Sequence, residues 1–145
     1  MGLFSFNKDS GEKKIDAAAE NKANASQLMN TVNFYDFDIT DLDIEVDGDT
    51  AKVWGTAANQ ATREKVLLTI GNTQGIANVE DKMVTAVPEP EAKMHTVQSG
   101  ESLSLIAKKY YGDPMKYKEI FEANQPALKD PDKIYPGQVI RIPNL

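Results

Sequence analysis

The densest group of chemically active side chains is an acidic run, residues 36–49, which holds seven carboxylates and no cation. Such a run suggests calcium, whose ligands are mostly carboxylate oxygens. Aligning Asp43 with the first position of a standard calcium-binding loop puts Trp54 where the bidentate glutamate must stand, so the loop reading fails. From Asp41 to Asp47 the acids alternate with apolar residues, as on a strand with one solvated face. We therefore interpret the run as the outer face of a β-hairpin that attracts cations only diffusely.

Other site chemistries have little support in the sequence. There is no cysteine, which excludes disulfides, thiolate metal sites and cysteine nucleophiles. His95 is the only histidine, so a transition-metal centre would have carboxylates as its other ligands; we expect His95 to be half-buried on a strand. No serine stands in a Gly-x-Ser-x-Gly motif, and no phosphate loop or zinc motif is present. We predict that the protein is not an enzyme.

Composition and charge narrow the class of partner. The chain has 145 residues, of which 41% are apolar and 26% charged, a mixture typical of one or two small globular domains. A net charge of −6 argues against binding to nucleic acid or anionic lipid. No apolar stretch reaches the length of a membrane span, and the N-terminal apolar run is too short for a secretory signal. These features predict a monomeric cytoplasmic protein that does not bind membranes.

A change in charge and a proline-rich segment divide the chain into two modules. Residues 1–87 carry 8 basic and 14 acidic side chains, whereas residues 88–145 carry 8 of each. The change falls at the segment Pro88–Lys93, whose two prolines prevent a helix and favour an extended spacer. We call the parts on either side of this spacer the first and the second module.

The first module reads as an α+β layer. A discontinuous helix is expected between Asp9 and Asn33, and a hairpin from Asp41 to Gly55. Asn59 can cap a helix that ends near Gly71, and a strand follows at about Ala77–Val84. This order predicts one antiparallel sheet with helices on one face.

The second module has the order β-α-α-β. A strand at Met94–Val97 precedes a helix that begins at Ser99–Ser102 and runs through Tyr110. A second helix is expected from Met115 to Ala123, and a closing strand at Gln138–Ile142. The whole chain is therefore predicted to be α+β, with two small domains.

Two segments of the second module, His95–Ala107 and Tyr135–Pro143, resemble the opening and the close of a LysM domain, a likeness that covers residues 94–143. The resemblance implies a shallow groove for N-acetylglucosamine polymers between two loops. The helical spacing of the tyrosines at 110, 111 and 117 favours core packing over stacking on sugar rings. The implied groove residues are Ser99, Gly100, Glu101, Ser102, Asp132, Lys133, Ile134 and Tyr135.

Residues 26–87 resemble a BON domain (α-β-β-α-β) in the Asp47-Gly48 turn, Gly55 and Gly75–Val79. Together with Met1–Phe4 and the Asp130–Gln138 run, nearly the whole chain is similar to a family of small cytoplasmic potassium-binding proteins of bacteria. The resemblance implies an N-terminal segment (1–25) that packs on a BON domain (26–87), a linker (88–93) and a LysM domain (94–145). It further implies that the protein is an ion sensor or buffer whose two domains close on each other when potassium binds.

The same resemblance guides a prediction of the ion site. Potassium is weakly hydrated, and main-chain carbonyl oxygens can replace its water shell, whereas carboxylates favour divalent ions. Free carbonyls are found where the backbone leaves regular structure, and two glycine-bearing stretches qualify, 7–12 and 71–76. Rubidium and caesium should bind comparably. The predicted ligands are the main-chain carbonyls of Asn7, Ser10, Glu12, Gly71, Thr73 and Ile76.

Three alternatives stay open. Gly71 could merely cap a helix and Gly75 merely turn the chain, in which case neither would belong to a site. The protein could instead be a LysM adaptor that recognises peptidoglycan or N-acetylglucosamine polymers. A structural interaction module would bind neither the ion nor the sugar.

Overall fold

The computed structural model describes residues 2–11 and 20–145. In the first module a four-residue strand precedes two helices and four further strands. Their bounds are β1 Gly2–Ser5, α1 Asn21–Phe34, β2 Ile39–Asp47, β3 Thr50–Ala57, α2 Gln60–Gly71, β4 Asn78–Asp81 and β5 Val84–Thr85.

The sheet of the first module is mixed, so the expectation of a purely antiparallel sheet was wrong. Its main path has the order β1-β4-β3-β2, and β5 pairs with β3. The hairpin β2–β3 and the pair β1–β4 are antiparallel, but β3 and β4 run parallel. The reason is that α2 lies between β3 and β4 and carries the chain back to the starting edge, which makes the next strand parallel.

Local sequence signals in the first module behave as predicted. The Asn59 side chain accepts a hydrogen bond from the Thr62 N–H (2.8 Å) and begins α2. On β2 the side chains of Ile44 and Val46 are buried whereas the intervening acids are exposed, which confirms the solvated acidic face. The core of the module comprises Leu28, Val32, Ile44, Val46, Ala51, Val53, Val66, Leu67, Ile70, Ile76, Val79 and Met83.

The second module also has the predicted order. Ser102 caps its first helix, and Gly112 ends that helix in the left-handed region at φ +75°. The second helix starts with a short 3₁₀ turn that the Asp113 side chain caps. The elements are β6 Lys93–Thr96, α3 Leu103–Tyr111, the 3₁₀ turn Pro114–Lys116, α4 Tyr117–Ala123 and β7 Val139–Ile142.

The core of the second module is separate from that of the first. Its buried members are Val97, Leu103, Ile106, Ala107, Ile120, Leu128, Ile140 and Ile142, and the three tyrosines at 110, 111 and 117 pack against them as expected. Among the helices of the described ranges, none combines the length and the apolar character that crossing a membrane requires.

Candidate functional site

The structure brings the two glycine-bearing stretches of the first module together. The Gly75 N–H donates to the Lys8 carbonyl oxygen (2.5 Å), and the Phe6 N–H donates to the Ala77 carbonyl oxygen (2.7 Å). Strand β1 sets up this contact, because its pairing with β4 leads the chain from Ser5 directly to the loop that follows α2. Two segments more than sixty residues apart in sequence therefore form one irregular backbone surface.

Two glycines allow close approach there. A Cβ on Gly11 would lie 1.7 Å from the Asn72 carbonyl oxygen, and Gly11 has φ +93°. A Cβ on Gly71 would lie 2.1 Å from the Phe6 ring. Gly71 is the last residue of α2 and Asn72 is its cap, so Gly71 ends the helix without capping it, and its place in an ion site stays a prediction. Gly75, at φ +100°, does turn the chain.

The predicted carbonyls are partly engaged within their own turns. The Asn7 carbonyl oxygen accepts from the Ser10 N–H, and the Thr73 oxygen accepts from the Ile76 N–H, both at 3.1 Å. A carbonyl oxygen has two lone pairs, so each can still face a cation. The Gly71 oxygen lies at the C-terminal end of α2, where helix carbonyls lack intrahelical partners and the helix dipole is negative. Glu12, the sixth predicted ligand, lies outside the described residues.

Loop 135–139 of the second module covers this backbone surface. The Ser10 hydroxyl donates to the Pro136 carbonyl oxygen (3.1 Å). The Asn72 side-chain amide donates to the Val139 carbonyl oxygen (2.7 Å), and its oxygen accepts from the Val139 N–H (2.9 Å). A Cβ on Gly137 would lie 2.4 Å from the Ser10 hydroxyl. Sequence reasoning missed Asn72 and Gly137, because nothing in their local patterns reveals a partner in the other module.

A buried ion pair between Glu64 of α2 and Arg141 of β7 joins the two modules. The Arg141 Nε and Nη2 each lie 2.8 Å from Oε1 of Glu64, whose side chain is 3% exposed. The other carboxylate oxygen of Glu64 accepts from the Gln60 amide (3.0 Å) and from the Ala92 N–H of the linker (2.9 Å). The pair therefore fixes β7, α2 and the linker in one arrangement.

Some residues of the predicted sugar groove already form hydrogen bonds within the second module. The Glu101 carboxylate lies 2.9 Å from Nε2 of His95 and accepts from the Gln98 N–H (2.7 Å). Although burial alone would raise it, the pKa of Glu101 is lowered, because these two bonds and the nearby cations favour the charged form. His95 is more deeply buried than expected and also bonds Tyr110.

The remaining residues of the predicted groove differ in exposure and in the module that they contact. Ser99 and Gly100 are exposed, and Ser102 caps α3. Asp132 and Lys133 are exposed, whereas Ile134 packs on the core. The Tyr135 hydroxyl would lie 3.3 Å from a Cβ on Gly11, so this tyrosine reaches the first module.

No three histidine, aspartate or glutamate side chains come together as a metal cluster within residues 2–11 and 20–145. The acids of β2 project from an exposed face instead of converging.

Comparison with known proteins gives three similarities and one family match. The LysM domain family matches residues 95–143, which confirms that resemblance. The chain is 44% identical to the "Potassium binding protein Kbp" of Escherichia coli O6:H1 over 149 aligned residues, 99% of each chain. An uncharacterized protein of Deinococcus radiodurans is 52% identical over 50 residues, 34% of this chain and 19% of that one. An endolysin of Bacillus phage B103 is 31% identical over 91 residues, 63% of this chain and 32% of that one.

Proposed function

Because the chain belongs to the family of the Escherichia coli potassium binding protein Kbp, we propose that it is a non-enzymatic potassium-binding protein. The ion binds where residues 7–11 meet residues 71–76. The observation that carries this assignment is the backbone contact between the two stretches, through the Gly75–Lys8 hydrogen bond and the approach of Gly11 to the Asn72 oxygen.

The chemistry of this surface suits a large monovalent cation. Neutral carbonyl oxygens can replace the weakly held water of potassium, and the negative end of the α2 dipole adds a favourable partial charge. Magnesium requires near-ideal octahedral geometry and gives up its water reluctantly, and calcium prefers carboxylates. The proposed ligands remain the main-chain oxygens of Asn7, Ser10, Glu12, Gly71, Thr73 and Ile76.

Ion binding and contact between the modules are coupled in this proposal. Asn72 lies in sequence between the proposed ligands Gly71 and Thr73. Its side-chain nitrogen and oxygen both form hydrogen bonds with the backbone of Val139 in β7. Ordering of the loop after α2 by the ion therefore favours the docked position of the second module, which is a population shift toward the compact form. The protein would act as a monomeric cytoplasmic sensor or buffer. Its residues 26–87 would be a BON domain, since α1, β2, β3, α2 and β4 follow the order α-β-β-α-β.

The experiment that tests the function is isothermal titration of the full chain with chloride salts. We expect potassium, rubidium and caesium to bind comparably, and sodium, magnesium and calcium to bind much more weakly. The reason is that neutral oxygens do not compensate for the free energy of dehydrating small or divalent ions. Calcium binding tighter than potassium binding would instead assign the site to carboxylates.

A pair of variants separates the backbone site from the acidic face. Replacing Asp41, Asp43 and Glu45 together by Asn, Asn and Gln should leave selectivity intact and change potassium affinity less than about threefold, through screened long-range attraction alone. Gly75→Val should reduce affinity far more, because valine resists φ +100° and would displace the N–H that holds the Lys8 oxygen. Equal losses in the two variants, measured by the same titration, would refute the backbone site.

The LysM family match favours a second candidate, an adaptor for peptidoglycan or N-acetylglucosamine polymers. Residues 99–102 and 132–135 would supply the groove, although Tyr135 also reaches the first module. Titration of the full chain with N-acetylglucosamine oligomers, with and without potassium, decides whether the LysM domain retains this activity.

A further inference from the structure

A cavity of about 640 Å³ lies between the two modules, beside the proposed ion site. Helices α1 and α2 form one wall, and the loop 124–130 together with β7 forms the other. Its volume falls within the range of pockets that hold small organic ligands. The potassium proposal does not use most of this space.

The lining of the cavity has the opposite charge to the protein as a whole. Three lysines line it, Lys65, Lys129 and Lys133, against one carboxylate, Asp130. The chain carries a net charge of −6, so a local excess of cations is unexpected. The Asp130 carboxylate is engaged within its own loop, where it accepts from the Asp132 N–H (2.9 Å).

These lysines are not paired with acids in the described ranges. The lysine and arginine ion pairs found there use Lys8, Lys52, Arg63 and Arg141 as cations. Burial and the nearby charge of Arg141 lower the pKa of Lys65. Lys65 is partly buried, whereas Lys129 and Lys133 are exposed. A partly buried ammonium without an acid partner is a costly arrangement that a bound anion relieves.

Aromatic rings flank the lysines. The cavity is lined by Tyr35, Phe37 and Tyr135, and the rings of Tyr35 and Phe37 lie 5.9 Å apart. The Lys129 ammonium lies 6.0 Å from the Tyr35 ring centroid, so a cation and a π face occur side by side. Such a surface suits a ligand with both a planar ring and a negative group.

We propose that this cavity binds a small organic anion that carries a planar ring. Lys65 and Lys129 face the anionic group, and Tyr35 packs against the ring. A phosphate or a carboxylate can supply the charge. The site requires both modules, because Lys65 and Tyr35 come from the first and Lys129 from the second.

The test is titration of the full chain, at constant potassium concentration, with AMP and with 4-hydroxybenzoate. Adenosine and inorganic phosphate are the matched probes that lack the charge and the ring respectively. We expect AMP or 4-hydroxybenzoate to bind at least about tenfold more tightly than either matched probe, and the comparison between the two anions identifies the preferred head group.

Two lysine variants locate the site. Lys65→Gln should weaken binding of the anion at least about tenfold, as expected when a charge-assisted hydrogen bond is lost. Lys118→Gln, at an exposed position on α4 that does not line the cavity, should leave it unchanged. Potassium affinity should be retained in both variants, which distinguishes failure of this site from failure of the ion site. Absence of AMP and 4-hydroxybenzoate binding at millimolar concentration, or equal weakening in the two variants, overturns the proposal.

Discussion

Gly11→Ala is expected to lower potassium affinity on the order of a hundredfold, about 2.7 kcal/mol. The new methyl group would lie 1.7 Å from the Asn72 carbonyl oxygen, a main-chain atom that cannot rotate away. The segment 7–11 must therefore move off the end of α2, which separates the two halves of the proposed ligand set. Isothermal titration with potassium chloride measures the loss.

Gly100→Ala provides the matched control for this variant. Gly100 has a similar φ of +86°, but a Cβ there would meet nothing within 4 Å. Both substitutions thus introduce the same left-handed strain, about 1 kcal/mol, and only one introduces the clash. A potassium affinity of Gly11→Ala equal to that of Gly100→Ala would show that residues 7–11 do not belong to the ion site.

Glu64→Ala is expected to destabilise the protein by about 3–5 kcal/mol, because it leaves the Arg141 guanidinium buried without its partner. The Glu64 carboxylate also accepts from Gln60 and from the linker at Ala92, so three elements lose an anchor. Thermal or urea unfolding measures the stability. Small-angle scattering should report a larger radius of gyration, since the second module is then less firmly docked.

Glu80→Ala is the control for the ion-pair prediction. Glu80 faces Lys52 at 4.0 Å on the surface, with both side chains about 40% exposed, and such pairs contribute roughly 0–1 kcal/mol. Replacing both buried partners, Glu64→Leu with Arg141→Met, should restore much of the lost stability, because no unpaired charge remains. Equal destabilisation by Glu64→Ala and Glu80→Ala would show that the buried pair does not hold the modules together.

Signals that act within a few residues made most of the fold predictable. The Asn59 and Ser102 caps, the Gly112 terminator and the alternation along β2 each depend on neighbouring side chains and hydrogen bonds. The second module was further defined by its resemblance to the LysM domain, which the family match confirms. The order of elements from α1 to β4, and that of the second module, was therefore accessible from the sequence.

Several features that depend on distant partners were not predicted. Strand β1 has only four residues and forms a strand through its antiparallel pairing with β4. Glu64 pairs with Arg141, which lies 77 residues further along the chain. Nothing in the local sequence Arg63-Glu64-Lys65 shows that Glu64 has such a partner and its charged neighbours do not. Similarly, Asn72 resembles an ordinary helix cap until Val139 is placed beside it. The parallel pairing of β3 and β4 also depends on where α2 returns the chain.

The candidate site was likewise predictable only in part. The two irregular glycine-bearing stretches were selected from sequence as the source of carbonyl ligands, which stays a prediction, and the structure brings residues 7–11 and 71–76 into contact. The requirement at Gly11 could not be read from sequence, because the atom that excludes a side chain belongs to Asn72. The cover provided by residues 135–139 likewise arises from packing between modules.

We propose that main-chain oxygens of residues 7–12 and 71–76 hold the potassium ion. The most direct measurement is a crystal structure of the full chain grown in rubidium chloride, with the ion located by its anomalous scattering. We expect an anomalous peak surrounded by these oxygens, next to the backbone of Asn72 and beneath the loop 135–139. A peak coordinated by the carboxylates of Asp41, Asp43 or Glu45, with none between the two stretches, would contradict it.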